Sequence, residues 1–162
     1  MSDVVTRFGR AVDAGALHGF IVGLAEYVGH PEQVEVTADE LAEQLARSPA
    51  PFECLIAEID GAPVGSAIFF TNYSTWRGRN GLYLEDIFVP EEHRRKGIAR
   101  ALFQHLAQLV IDRGHARLDW AVVDWNETAI GFYEGLGARP DTLHRLWCLD
   151  RDALSAVATF RW

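Results

Sequence analysis

His93, Arg94, Arg95 and Lys96 stand in a row, Gly97 follows, and Arg100 comes one helical turn later. The chain around them is acidic, with 23 Asp plus Glu against 15 Lys plus Arg and a formal charge of −8. Apolar spacing predicts a helix from about Gly97 to Arg113, so the cations lie where that helix begins. A helix N-terminus presents unpaired N–H groups and the positive end of the macrodipole, so clustered cations there make sense with an anion bound. Gly97 and Ala99 are small enough to admit a bulky anion to the backbone, and Arg94 and Arg95 can add charge-assisted hydrogen bonds. The chemistry implied is a di- or oligophosphate site; the plain alternative is a solvated basic turn. A Walker loop and a Rossmann glycine fingerprint are both absent.

Glu85 and Asp86 form the second group. They are adjacent carboxylates inside the apolar run LYLEDIFV, residues 82–89. Burying both is costly, so at least one must meet a polar cleft or a cation; an ion pair with Arg77 or Arg79 would serve. Strand alternation puts Tyr83, Glu85, Ile87 and Val89 on one face and Leu82, Leu84, Asp86 and Phe88 on the other. The six histidines show no paired ligand spacing, so no metal site is expected. Cys54 and Cys148 lie in apolar surroundings and read as buried free thiols in a reducing cytoplasm, with a disulfide left open. Neither sits in a nucleophile setting, which disfavours an acyl-enzyme.

The elements that must position these residues follow from local signals. VVTRF reads as a strand. Asp13 can cap a helix carrying Leu17, Phe20, Ile21, Leu24 and Val28, and Thr37 with Glu40 has capping-box spacing before a second helix. FECLIAEI, the pair Asp60-Gly61 and PVGSAIFF make a hairpin; TNYSTWRGRNG reads as a loop and LYLEDIFV as a strand. After the helix at Gly97 come a strand RLDWAVV, a helix ETAIGFYEGL capped by Asn126 and stopped at Gly137, a strand HRLWCL and a terminal helix. Strand, crossover helix, strand implies a parallel pair in a mixed sheet of an α/β (α+β layered) fold. At 162 residues the chain reads as one domain, 1–162. No apolar window of bilayer length and no secretory signal are seen, so no membrane partner is expected. The acidic balance argues against nucleic acid. Four of the five tryptophans, at 76, 120, 125 and 147, read mostly as core.

The order strand, Arg94-x-x-Gly97-x-Ala99, helix, strand, then Asn126 and Tyr133 resembles the GNAT acetyltransferase superfamily. YLEDIFV, DWNETAIGFYEGLGA, PEQVEVTADEL and ECLIAEI are similar to the diamine (spermidine/spermine) and thialysine acetyltransferase group, over nearly the whole chain to about Asp150. The resemblance implies a GNAT fold of about six to seven strands flanked by helices, with a parallel pair splayed at the coenzyme site. It implies direct acetyl transfer from acetyl-CoA, as co-substrate and without a metal, to a primary amine of a small molecule: a diamine, polyamine or lysine-like amine. It further implies a cytoplasmic homodimer. Acetylation of a protein N-terminus or lysine, and a non-catalytic acyl-CoA-binding module, are the alternatives.

Carried onto this chain, the resemblance gives coenzyme contacts at Phe88, Val89, Arg94, Arg95, Lys96, Gly97, Ile98, Ala99, Arg100, Asn126 and Tyr133. The backbone N–H groups near Phe88 and Val89 hold the acetyl group and suit an oxyanion. Tyr133 is the implied acid for the departing thiolate, although its place on a helix also fits a core tyrosine. Glu85 is the implied base, directly or through water. Tyr27, Glu85, Asp86, Asp119 and Trp120 line the amine side. Against the polyamine enzymes, Val28 stands for a glutamate, Ser74-Thr75 for a loop aspartate and Asp119 for a histidine, which removes anchors for the distal amines of a polycation.

Overall fold

The computed structural model describes residues 3–159, which fall into two compact units divided between Val123 and Asp124. In the first, one sheet runs in the order β1 (Val5–Phe8), β2 (Glu53–Ile59), β3 (Ala62–Ser74), β4 (Arg79–Phe88) and β5 (Leu118–Trp120). The first four strands pair antiparallel, and β5 runs parallel to β4. The crossover between that parallel pair carries α3 (Ile98–Asp112); α1 (Ala14–Val28) and α2 (Ala38–Leu45) lie between β1 and β2. The mixed α/β sheet is as expected, but among the described residues it has five strands, not six or seven.

Register assigns the faces, because paired residues put their side chains on the same side. Phe69 pairs with Leu84, and Leu84 with Trp120. The Trp120 ring meets Phe103 of α3 edge-on at 5.2 Å, so this face packs on α3. The opposite face carries Cys54, Ile56 and Ile68, which bury Leu17 of α1 with Ile21, Leu45 and Phe52 around them. Helices on both faces leave little of the sheet in water, which is why its strands read as apolar runs.

Local signals set most boundaries. Asp60 (φ 52°) and Gly61 (φ 76°) turn the β2–β3 hairpin in the left-handed region that a tight hairpin demands. Thr37 Oγ1 accepts from the Glu40 N–H and the Glu40 carboxylate accepts from the Thr37 N–H, a complete capping box. Asp13 differs from its expected role. Its carboxylate does not cap α1; it accepts from Arg10 N–H and from both terminal nitrogens of Arg7. Those contacts, led by Arg7, hold its pKa below the ordinary value.

Other expectations are corrected. The loop TNYSTWRGRNG is mostly ladder: Thr71 to Ser74 pair with Leu82 to Arg79, because antiparallel backbones pair whatever their side chains. RLDWAVV contributes only three residues to β5. HRLWCL joins no sheet among the described residues, and Leu146 and Trp147 are each 89% exposed. Its alternation is suited to a strand, but a strand exists only where a neighbour completes the ladder. Cys54 is buried, as expected, whereas Cys148 is exposed, and so are Trp76 and Trp125. The segment Ala11–Val28 also reaches a mean hydropathy of 1.2 over 18 residues, enough by length and composition for a membrane span, which the sequence reading did not find. Here Leu17 and Phe20 of that segment are buried, and Asp13 is ion-paired to Arg7 of β1.

In the second unit α4 (Glu127–Gly135) starts at Asn126, whose Oδ1 accepts from the Ala129 N–H at 3.2 Å. Gly137 (φ 88°) closes it, and α5 spans Arg151–Thr159.

Candidate active site

The basic segment is a sharply shaped connection between β4 and α3. A single 3-10 turn spans Glu91–His93, Arg94 is extended, Arg95 has φ 60° and Gly97 has φ 82°. A positive φ at arginine is costly, and residues held so tend to mark a functional turn. Backbone N–H groups gathered by left-handed residues at a helix start form a concave anion receptor. A Cβ on Gly97 would meet nothing within 4 Å, so the glycine serves the conformation and leaves open space beside the backbone. The Ile98 side chain is buried in the core, which leaves only its backbone for a ligand. Arg95, Lys96 and Arg100 are exposed, and none is ion-paired among the described residues. Arg94 is more constrained: its Nε donates to the Val89 carbonyl at 3.1 Å, and its guanidinium lies 4.8 Å over the centre of the Tyr27 ring.

Just before this loop β4 carries a bulge. Phe69 pairs with Leu84 and the next residue back, Ile68, pairs with Asp86, so Glu85 is the extra residue. The phase of the strand flips there. Leu82 and Leu84 face α3, whereas Asp86 and Phe88 move to the α1 side with Tyr83. The alternation read from sequence, with Asp86 beside Leu84, is therefore corrected by the bulge. Asp119 joins the same side, since it pairs with Tyr83. Trp120 does not; it faces Phe103.

Three carboxylates thus lie near Tyr83. Glu85 is exposed and Asp86 half-buried. Burial first, and the charge of Glu85 second, push the Asp86 pKa up to about 6. Burial, then the charges of Glu85 and Asp119, raise that of Tyr83. Asp119 is braced: its Oδ2 accepts from Arg117 Nε and, at 3.3 Å, from Asn72 Nδ2. Gly81 makes this possible, because a Cβ there would sit 2.6 Å from Asn72 Oδ1. Sequence reading missed Asn72, Gly81 and Arg117. The Arg117-x-Asp119 spacing, period two on a strand, and a glycine inside β4 were the available signals. An anionic, partly desolvated face of this kind attracts an ammonium ion.

In the second unit Tyr133 lies on α4 with its ring 5.6 Å from Phe132, edge to face. Burial raises its pKa, which keeps the hydroxyl protonated and able to donate. Asn126, expected at the coenzyme, has its Oδ1 on the helix cap. No group of three metal-ligating side chains is found among the described residues.

Comparison with known proteins identifies the family and the fold. A thialysine N-epsilon-acetyltransferase of Bos taurus is 36% identical over 156 residues, covering 91% of each chain. An L-ornithine N5-acetyltransferase of Arabidopsis thaliana is 41% identical over 98 residues, 60% of this chain and 43% of that one. An integron cassette protein of V. cholerae shares the fold, with a TM-score of 0.80 over 99% of both chains at 24% identity. The family described as Acetyltransferase (GNAT) family matches residues 15–138, so the chain belongs to the GNAT acetyltransferases and is an N-acetyltransferase.

Proposed function

We propose that this protein transfers the acetyl group of acetyl-CoA directly to a primary amine of a small molecule, a diamine, polyamine or lysine-like amine. The observation that carries the acceptor class is the face bearing Tyr83, Asp86 and Asp119 beside the exposed Glu85, three carboxylates gathered on the β4–β5 pair. The names of the thialysine and ornithine relatives support a lysine-like amine within that class.

In this reading the turn from Arg94 to Arg100 holds the coenzyme pyrophosphate through its N–H groups and cations. Backbone N–H groups near Phe88 and Val89 hold the acetyl carbonyl. The amine arrives as an ammonium drawn to Glu85 and Asp86, and Glu85 takes its proton, directly or through water. The nitrogen then attacks the thioester carbon, the C–S bond breaks, Tyr133 gives the departing thiolate its proton, and the second proton that the nitrogen sheds as the amide forms replaces the one Tyr133 gave. No metal is required by this scheme. We further propose that residues 1–162 work as one catalytic domain, as a homodimer in the cytoplasm.

The test is release of free thiol from acetyl-CoA with a panel of diamines, polyamines, lysine analogues and aminoglycosides. Turnover of diamines, polyamines or lysine analogues supports the proposal, and turnover confined to aminoglycosides overturns its acceptor class. Coenzyme binding without thiol release from any amine overturns it in favour of an acyl-CoA-binding module.

A further inference from the structure

Tyr27 was expected on the amine side, yet its ring lies beneath Arg94 of the phosphate turn. Phe20, Gly23 and Tyr27 are spaced to share one stripe of α1. The stripe follows the end of β4 and the segment after it. Phe20 meets the Phe88 ring at 6.5 Å between centroids. A Cβ on Gly23 would come 2.7 Å from the same ring, so glycine lets the helix seat against Phe88. One helical turn later Tyr27 meets Arg94.

We infer that Tyr27 is a positioning residue for the coenzyme: it is the platform that holds Arg94 ready for the pyrophosphate. This rests on the acetyl-CoA reading above. The geometry separates the two uses of a guanidinium. Its flat face is attracted to an aromatic ring, whereas its edge carries the hydrogen-bond donors. The guanidinium carbon lies 4.8 Å over the Tyr27 ring, and the Val89 carbonyl takes Nε–H at 3.1 Å. The remaining edge, Nη1 and Nη2, has no hydrogen-bond partner among the described residues and presents the fork that grips two phosphate oxygens. A free arginine loses much rotamer freedom when it binds; one already stacked and tethered loses less. Phe88, whose neighbouring N–H groups hold the acetyl group in this reading, rests on the same stripe, so α1 seats both ends of the coenzyme grip.

The test is coenzyme A affinity by calorimetry, with steady-state KM for acetyl-CoA and for the amine, in Tyr27→Leu, Tyr27→Phe, Arg94→Ala and the double variant Tyr27→Leu/Arg94→Ala. An exposed cation–π contact predicts that Tyr27→Leu weakens coenzyme affinity by about two- to fivefold, with the amine KM little moved. Tyr27→Phe keeps the ring face and restores affinity. In the Arg94→Ala background the leucine change has no further effect, because the partner is gone. An undiminished loss in that background, or a rise in amine KM alone, overturns the inference and leaves the acetyl-CoA reading standing. A wild-type protein that does not bind coenzyme A overturns both.

Discussion

Asp86→Asn is the substitution whose effect follows most directly from the bulge in β4. In the folded chain the Asp86 carboxyl has a pKa of about 6, against an ordinary 3.8. The folded state therefore holds the proton more tightly than the unfolded state, and stability is highest when Asp86 is protonated. It falls as pH rises from about 4 to about 6, then levels off. A rise of about two units, at about 1.4 kcal/mol per unit, sets an upper cost near 3 kcal/mol for the ionised group; partial solvent contact lowers that to about 1–3 kcal/mol. Asparagine keeps the shape and removes the titration. Urea unfolding of the wild type and the variant should give equal stability near about pH 4, and a variant more stable by about 1–3 kcal/mol near about pH 8. A gain of the same size at both pH values, or a less stable variant near neutrality, would refute the claim that desolvation sets this pKa.

The remaining substitutions address the proposed chemistry. Gly97→Glu places a charged side chain at φ 82°, in the space beside the N–H groups; coenzyme A binding by calorimetry should be lost, and wild-type affinity would remove the anion receptor from the reading. Tyr133→Phe should leave the fold and coenzyme affinity intact and lower kcat by roughly 10²–10⁴, the span of positioned proton transfer; a KM effect with kcat intact would make Tyr133 a binding residue. Glu85→Gln should depress turnover most near neutral pH and recover with alkali, where free amine is abundant, and should spare acceptors of low pKa. Loss that is uniform across pH and across amines would make Glu85 structural.

What was legible in the sequence was what neighbours along the chain decide. The Thr37–Glu40 box, the Asn126 cap and the Asp60-Gly61 turn each need only three or four residues, and all three are found. The basic turn before α3 was legible for the same reason: cations, a glycine and the start of a helix stand in sequence. Asp13 was misjudged because its strongest partner, Arg7, comes from β1 and not from the helix it precedes. The bulge was hidden for a deeper reason. Whether Glu85 takes a place in the ladder depends on where β3 pairs, and LYLEDIFV alone reads as an unbroken alternation. One residue of slip reverses every later side chain, so Asp86 and Phe88 changed faces. The pairing of Arg94 with Tyr27, 67 positions apart in the sequence, has no local signature at all.

The bulge and the early end of β5 bear together on how the amine loses its proton. Beyond Leu84, opposite Trp120, β4 has no further partner in β5, so its last residues are paired on the β3 side only. That one-sided length runs from Glu85 to the backbone near Phe88, the two groups proposed to take the proton and to hold the acetyl carbonyl. Three residues of strand span roughly 10 Å, somewhat less through a bulge. An amine nitrogen must approach the carbonyl carbon to about 3–3.5 Å to react. The Glu85 side chain covers part of that span, so its carboxylate can meet a nitrogen held near Phe88 directly or through one water. One hydrogen bond of about 2.8 Å makes the direct route, and two such bonds through one water make the relayed one. By either route, the proposed proton transfer to Glu85 predicts a solvent isotope effect on kcat in the wild type that disappears in Glu85→Gln once the medium supplies free amine.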